Sequence, residues 1–187
     1  MSQSLLLKIV RESITEVFEA QHTIDKTKLL ADYPILKEPL ASYVSIYLDE
    51  KLRGSSGSIK PSASLLEEII HHAKAAAFQD KRFAPLSTSQ YLRSKIELSL
   101  LSPLLELSYT DVEDLRSKIT PNQDGIHIAL GNKSATLLPQ VWSKFSNFDA
   151  FFEHLLHEAG LSEKDLDSHP NIYIFQVEKS RDESILD

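Results

Sequence analysis

The run Leu52-Arg53-Gly54-Ser55-Ser56-Gly57 concentrates groups able to do chemistry. Its glycines would expose the Ser55 and Ser56 hydroxyls and free backbone N–H groups to stabilise an anion, as a serine nucleophile requires. The pattern lacks the Gly-x-Ser-x-Gly spacing of a nucleophile elbow and the Gly-Lys-Ser/Thr ending of a phosphate loop. A tight turn or bulge would explain the glycines, by their unusual φ angles, and the serines, by local hydrogen bonds. It would not explain Arg53, a planar and permanently charged donor suited to a carboxylate, a phosphate or a partner's backbone.

Histidine is the other chemical resource. Of seven, His71-His72 and His154-x-x-His157-Glu158 fall within helical patterns. Two histidines at i,i+3 can share a metal, but His154, His157 and Glu153 fall opposite a phenylalanine stripe and no third ligand is specified, so no metal is expected. His71 points away from the apolar stripe of its helix and His72 lies at the edge, making His72 the better partner for a serine. No cofactor is specified.

These residues must be positioned by elements readable from periodicity. Leu6, Ile9, Val10, Ile14, Val17 and Phe18 recur at helical spacing over 5–18. Tyr43 to Leu48 reads as a strand, Asp49-Glu50-Lys51 turns the chain, and 52–57 is the return leg of a hairpin. Ser64-Leu65-Leu66-Glu67 is a capping-box pattern opening a helix to about Phe78, whose run Ala75-Ala76-Ala77 lets a neighbour approach closely. Strand Ile96–Leu100 stops at Ser102-Pro103, and Thr110-Asp111-Val112-Glu113 caps a short helix. Strands 126–130 and 135–138 flank Gly131-Asn132-Lys133 as a hairpin. A helix opening at Ser146-Asn147 and stopping at Gly160 carries Phe148, Phe151, Phe152 and Leu155 on one face. Asn171 to Val177 is a final strand, and residues 178–187 are expected to fray.

The 187 residues fit one domain with its own core. The expected class is α+β, a mixed or antiparallel sheet with packed helices. The absence of cysteine excludes disulfides, thiolate metal ligands and a cysteine nucleophile. Leu5-Leu6-Leu7 runs straight into Lys8, Arg11 and Glu12, so neither a signal-peptide core nor a membrane span is expected there, which implies a cytoplasmic protein. A formal charge of −7 disfavours nucleic acid and anionic membrane. The local basic set Lys74, Lys81, Arg82, Arg93 and Lys95 is the alternative that would keep a nucleic-acid or nucleotide-binding role open.

Several motifs occur in an order that resembles the AMMECR domain family, also called AmmeMemoRadiSam system protein A. Residues 52–57 resemble its Leu-Arg-Gly-Cys-Ile-Gly hexapeptide. Ala73 to Phe78 with Asp80, Arg82, Phe83, Pro85 and Leu86 is similar to its Ala-rich helix and Asp-Pro-Arg-Phe-x-Pro-Leu tail, with Lys81 replacing the proline. Leu100-Leu101-Ser102-Pro103, Leu138-Pro139-Gln140-Val141-Trp142 and Ala159-Gly160-Leu161 match further elements, so the likeness covers residues 35–178. It implies a single AMMECR-type domain over 1–187, with two lobes flanking a cleft and the hexapeptide beside it. It also implies joint action with a Memo-type protein and a radical SAM enzyme. Ser-Ser at 55–56 where the family has Cys-Ile, and His72 where it commonly has Asn, set aside a thiol-dependent mechanism.

The expected role is therefore an accessory or ligand-binding component taking a small-molecule or peptide ligand. Arg53, Gly54, Ser55, Gly57, Asp80, Arg82, Phe83 and Gln140 would do the binding. The alternative is a stand-alone hydrolase or transferase using Ser55 or Ser56 with His72.

Overall fold

The computed structural model describes residues 3–182. Among them are six α-helices and two four-stranded antiparallel sheets, an α+β fold. They form two compact units. The first takes the chain up to Leu101 and resumes at Glu178, and the second is Ser102–Val177.

In the first unit, α1 (Gln3–Glu19) and α3 (Leu65–Phe78) cover one face of a sheet built from β1 (Ala41–Leu48), β2 (Lys51–Gly57), β3 (Lys95–Leu101) and β8 (Val177–Arg181). The strand order is β2-β1-β3-β8, which makes β2 an edge. Period-two alternation puts Val44, Ile46, Ile96 and Leu98 inward, all fully buried, against Ile9, Val10 and Ile14 of α1 and Leu65, Leu66 and Ile69 of α3. The hairpin of β1 and β2 closes through Asp49 and Glu50, both at positive φ, the twist that a two-residue connection demands. Beyond it the register slips by one residue, because Tyr47 pairs with Leu52 and Ile46 with Gly54, and Arg53 becomes the extra residue of a β-bulge.

The periodicity expected at 5–18, 43–48, 64–78 and 96–100 corresponds to α1, β1, α3 and β3. The Ser64 hydroxyl accepts from the Glu67 amide as expected, but Glu67 turns away to pair with Lys26 at 2.9 Å, so only half of the expected capping box forms. In this unit three short elements escaped the pattern: α2 (Lys26–Asp32), α4 (Thr88–Arg93) and a 3-10 turn at Pro34–Lys37. The tail is also corrected, for Val177–Arg181 is strand β8. Arg11 holds the residue after it, donating to both Asp182 oxygens at 2.8 and 2.9 Å. The rest of the expected fray, 183–187, lies outside the described residues.

The second unit's sheet has the order β4-β7-β5-β6, from β4 (Leu105–Leu107), β5 (Gly125–Leu130), β6 (Lys133–Leu137) and β7 (Asn171–Phe175). Ile126, Ile128 and Ile172 meet Phe151, Phe152, Leu155 and Leu156 of α6 (Phe148–Glu158) and Leu115 of α5 (Val112–Lys118). Trp142 stacks on Phe151 with centroids 3.5 Å apart and donates its indole N–H to the Asp124 carbonyl at 2.8 Å. The expected hairpin turns at Gly131, φ 61°, and the expected helix stop is Gly160, φ 67°. Among the described residues no helix is long and apolar enough to cross a membrane.

Candidate functional site

The glycine-bracketed segment is the return strand of the hairpin, as expected, bulged at Arg53 but not a tight turn, and neither Gly54 nor Gly57 has positive φ. Both glycines are demanded by close approach instead. A Cβ on Gly54 would stand 2.2 Å from the Ala76 carbonyl oxygen, so the small-residue face of α3 lies directly on β2. A Cβ on Gly57 would strike the Tyr43 ring at 1.9 Å. The strand therefore has one face under α3 and one turned away from it, and its successive side chains alternate between them.

Ser55 lies on the face away from α3. Its hydroxyl accepts from Arg82 Nη2 at 2.6 Å, and its backbone N–H, on the open edge, is taken by Asp80 Oδ2 at 2.9 Å. Asp80 thus caps an unpaired strand edge that would otherwise template another strand. Arg82 is fork-bonded to the same carboxylate through Nε at 3.0 Å and Nη2 at 2.7 Å, which holds the Asp80 carboxyl well below the usual carboxylate range. Two guanidinia lie over the Phe83 ring, Arg53 at 5.6 Å and Arg82 at 5.5 Å from its centroid. Arg53 spends one amino group on Ala84 O at 2.8 Å and Gln90 Oε1 at 2.9 Å and has no carboxylate partner among the described residues.

Ser56 lies on the face under α3. Its Oγ is 3.0 Å from His72 Nδ1, and His72 Nε2 is 3.1 Å from Glu68 Oε2. Glu68 Oε1 accepts from the Ser62 and Ala63 amides and the Ser62 hydroxyl, and Oε2 also accepts from Ser58. Burial raises the Glu68 carboxyl, but these donors outweigh it and bring it below the ordinary value. Burial pushes the His72 imidazole down, and the Glu68 bond only partly opposes it. The consistent protonation is a neutral His72 with Nε2–H donating to an ionised Glu68 and Nδ1 accepting the Ser56 proton.

The structure thus brings Arg53, Ser55, Asp80, Arg82 and Phe83 together, and separately Ser56 with His72; Ser55 and His72 do not meet. Gln140 belongs to the second unit, where it is exposed on a 3-10 turn at Pro139–Lys144. Glu68 went unnoticed in the sequence. Its signal was the i,i+4 spacing to His72, which places both on one side of α3. Of the basic set, Lys74, Arg82, Arg93 and Lys95 are each paired with a carboxylate. Among the described residues no group of histidines and carboxylates could hold a metal ion.

Residues 7–180 match the family model AMMECR1. A protein of Sulfolobus acidocaldarius is 35% identical over 163 aligned residues, covering 83% of this chain and 70% of its own length. Protein MK0488 of Methanopyrus kandleri is 30% identical over 189, covering 95% and 87%. The crystal structure of protein PH0010 from Pyrococcus horikoshii superposes with a TM-score of 0.82 at 26% identity, over 97% of this chain and 92% of that one.

Proposed function

We propose that this protein, which belongs to the AMMECR1 family, is a cytoplasmic ligand-binding component that works with a Memo-type protein and a radical SAM enzyme. The observation that carries the binding role is the uncompensated guanidinium at Arg53. Arg82 and Asp80 neutralise one another, Arg53 meets only neutral acceptors, and Phe83 sets an aromatic ring beside both arginines. Such a surface suits an anionic group attached to something flat, a carboxylate or phosphate on an aromatic or conjugated body. The partnership rests on the family, not on the geometry. Affinity purification of the tagged protein from its own cells, with and without added small-molecule extract, tests it. The expected result is co-recovery of a Memo-type or radical SAM protein, weakened in Arg53→Gln. Recovery of neither under both conditions overturns the reading.

A second reading is favoured by the Ser56–His72–Glu68 chain, which has the donor and acceptor order of a nucleophile, a base and an orienting carboxylate. In an acyl transfer Ser56 Oγ would attack the carbonyl carbon while its proton passes to His72 Nδ1. That proton would then go to the departing alcohol or amine, and water would release the acyl group. A fluorophosphonate probe tests this reading. A covalent adduct on Ser56, absent in Ser56→Ala and slowed in His72→Asn, supports it; an unchanged intact mass rejects it.

A further inference from the structure

The second unit holds a cavity of about 570 Å³ that shares no residue with the surfaces above. Its apolar wall is Phe152 and Leu156 of α6, both buried, with Val112 at the start of α5 and Leu166. Tyr109 closes one side, fixed by its hydroxyl donating to the Pro170 carbonyl at 2.8 Å, with its ring 5.5 Å from that of His169. Every fully ionised side chain lining it is acidic, and neither Lys nor Arg contributes. Two of its five carboxylates are already engaged, Asp111 capping α5 through the Asp114 amide at 2.8 Å and Asp149 bonded to Arg116. Glu153, Glu163 and Asp167 have no hydrogen-bond or ion-pair partner among the described residues.

The geometry points to a binding site for a small organic cation, a protonated amine carried on an aryl or alkyl body. The volume falls within the range of small-molecule sites, of order 300–1,000 Å³. Three uncompensated carboxylates disfavour an anion, and for a neutral ligand they add no attraction. They are also too dispersed to chelate, since no metal-holding group of histidines and carboxylates exists among the described residues. An inorganic ion would leave the Phe152, Leu156 and Val112 wall unused. An ammonium on an apolar body uses both, with its charge toward the rim or the Tyr109 face and its body against α6. Free amines are favoured over a protein-borne lysine because the space accepts a whole molecule.

The test is a titration of the whole isotope-labelled chain, followed by amide chemical shifts, with tryptamine, its neutral relative indole-3-acetamide and the anion indole-3-acetate. The expected result is saturable shifts confined to residues 109–112, 149–156 and 163–169, with tryptamine about tenfold tighter than the amide, a difference of about 1.4 kcal/mol, and no saturation by the acid. Glu153→Gln with Asp167→Asn, both exposed and free of structural bonds, should erase the preference for the cation while leaving the spectrum folded. Leu166→Trp, filling the cavity, should abolish binding by all three. Equal affinity for cation and neutral, shifts elsewhere, an unchanged preference in the double variant, or tighter binding of a capped lysine than of tryptamine would each overturn the proposal.

Discussion

The two faces of β2 differ by one residue in sequence and by their whole environment in space. Ser55 and Ser56 are neighbours of the same type, yet Ser55 meets an arginine and an aspartate at an open strand edge. Ser56 meets the buried His72 of α3, which in turn bonds Glu68. Arg82 leaves more than half of its side chain in solvent, although its partner Asp80 exposes only 8%, whereas both His72 and Glu68 are buried, at 8% and 4%. The Arg82 guanidinium on the first face is therefore screened by water and open to a ligand. Chemistry on the second is fixed by packing and strengthened by exclusion of water. Alternation along one strand gives the protein two dissimilar polar assemblies within a single motif.

The largest way to break this arrangement is at the glycines that permit it. Gly54→Ala forces a Cβ into a backbone carbonyl of α3, which has no rotamer to yield, and should cost about 3 kcal/mol as helix and strand separate. Gly57→Ala strikes the Tyr43 ring down to its Cγ at 2.3 Å, so the whole side chain must leave its rotamer, and should cost about 2 kcal/mol. Urea denaturation of the two variants measures the difference, and equal midpoints would mean that α3 does not press on β2.

The next largest effect separates the two carboxylates. Glu68 serves five donors with almost no access to water, so Glu68→Gln, which turns one acceptor into a donor, should cost about 2–3 kcal/mol. Asp80→Asn keeps the strand edge partly capped and leaves Arg82 free to hydrate, and should cost about 1 kcal/mol. A reversed order would show the edge face to be the structural one.

Titration sharpens the contrast. His72 has a folded pKa below its unfolded value near 6.5, so between the two the unfolded chain binds more protons and stability falls as pH drops. The contribution is complete above about pH 6.5 and is lost on descending toward the folded pKa. Asp80 and Glu68, both depressed, add their losses only below their unfolded values near 4. Stability measured from pH 7.5 to 3 should therefore fall in two stages. His72→Asn should remove the first stage and leave the second.

The main elements were legible because periodicity reports burial, and the first unit's core stripes on α1, α3, β1 and β3 were all readable. Of the short helices, α5 was legible from its cap at Asp111, whereas α2 and α4 were not, since six or seven residues such as Thr88–Arg93 carry too few periodic positions and form around local caps, here Ser87 with Gln90. The 52–57 segment was readable as special but not in its cause. Glycine composition suggests unusual φ, whereas the reason lies in Ala76 and Tyr43, which no local pattern connects to it. Strand β8 was missed because Val177-Glu178-Lys179-Ser180-Arg181 is polar, as an edge strand can be when its stability comes from pairing and from ion pairs such as Arg181 with Glu50.

The smallest effects distinguish the serines themselves. Ser55→Ala removes one acceptor from an exposed guanidinium that keeps Asp80 and water, and should change stability by no more than about 0.5 kcal/mol. Ser56→Ala leaves the His72 Nδ1 lone pair without its donor beneath a helix, which should cost about 1 kcal/mol. A double-mutant cycle with Glu68→Gln carries the comparison further, because Ser56 acts on Glu68 through the imidazole between them. The tautomer that lets Nδ1 accept from Ser56 is the one that lets Nε2 donate to Glu68, so breaking one bond loosens the reason for the other. Coupling of about 0.5 kcal/mol or more is expected for Ser56 with Glu68, and additivity for Ser55 with Glu68. Coupling of equal size in both cycles would mean that the two faces of β2 form one network rather than two.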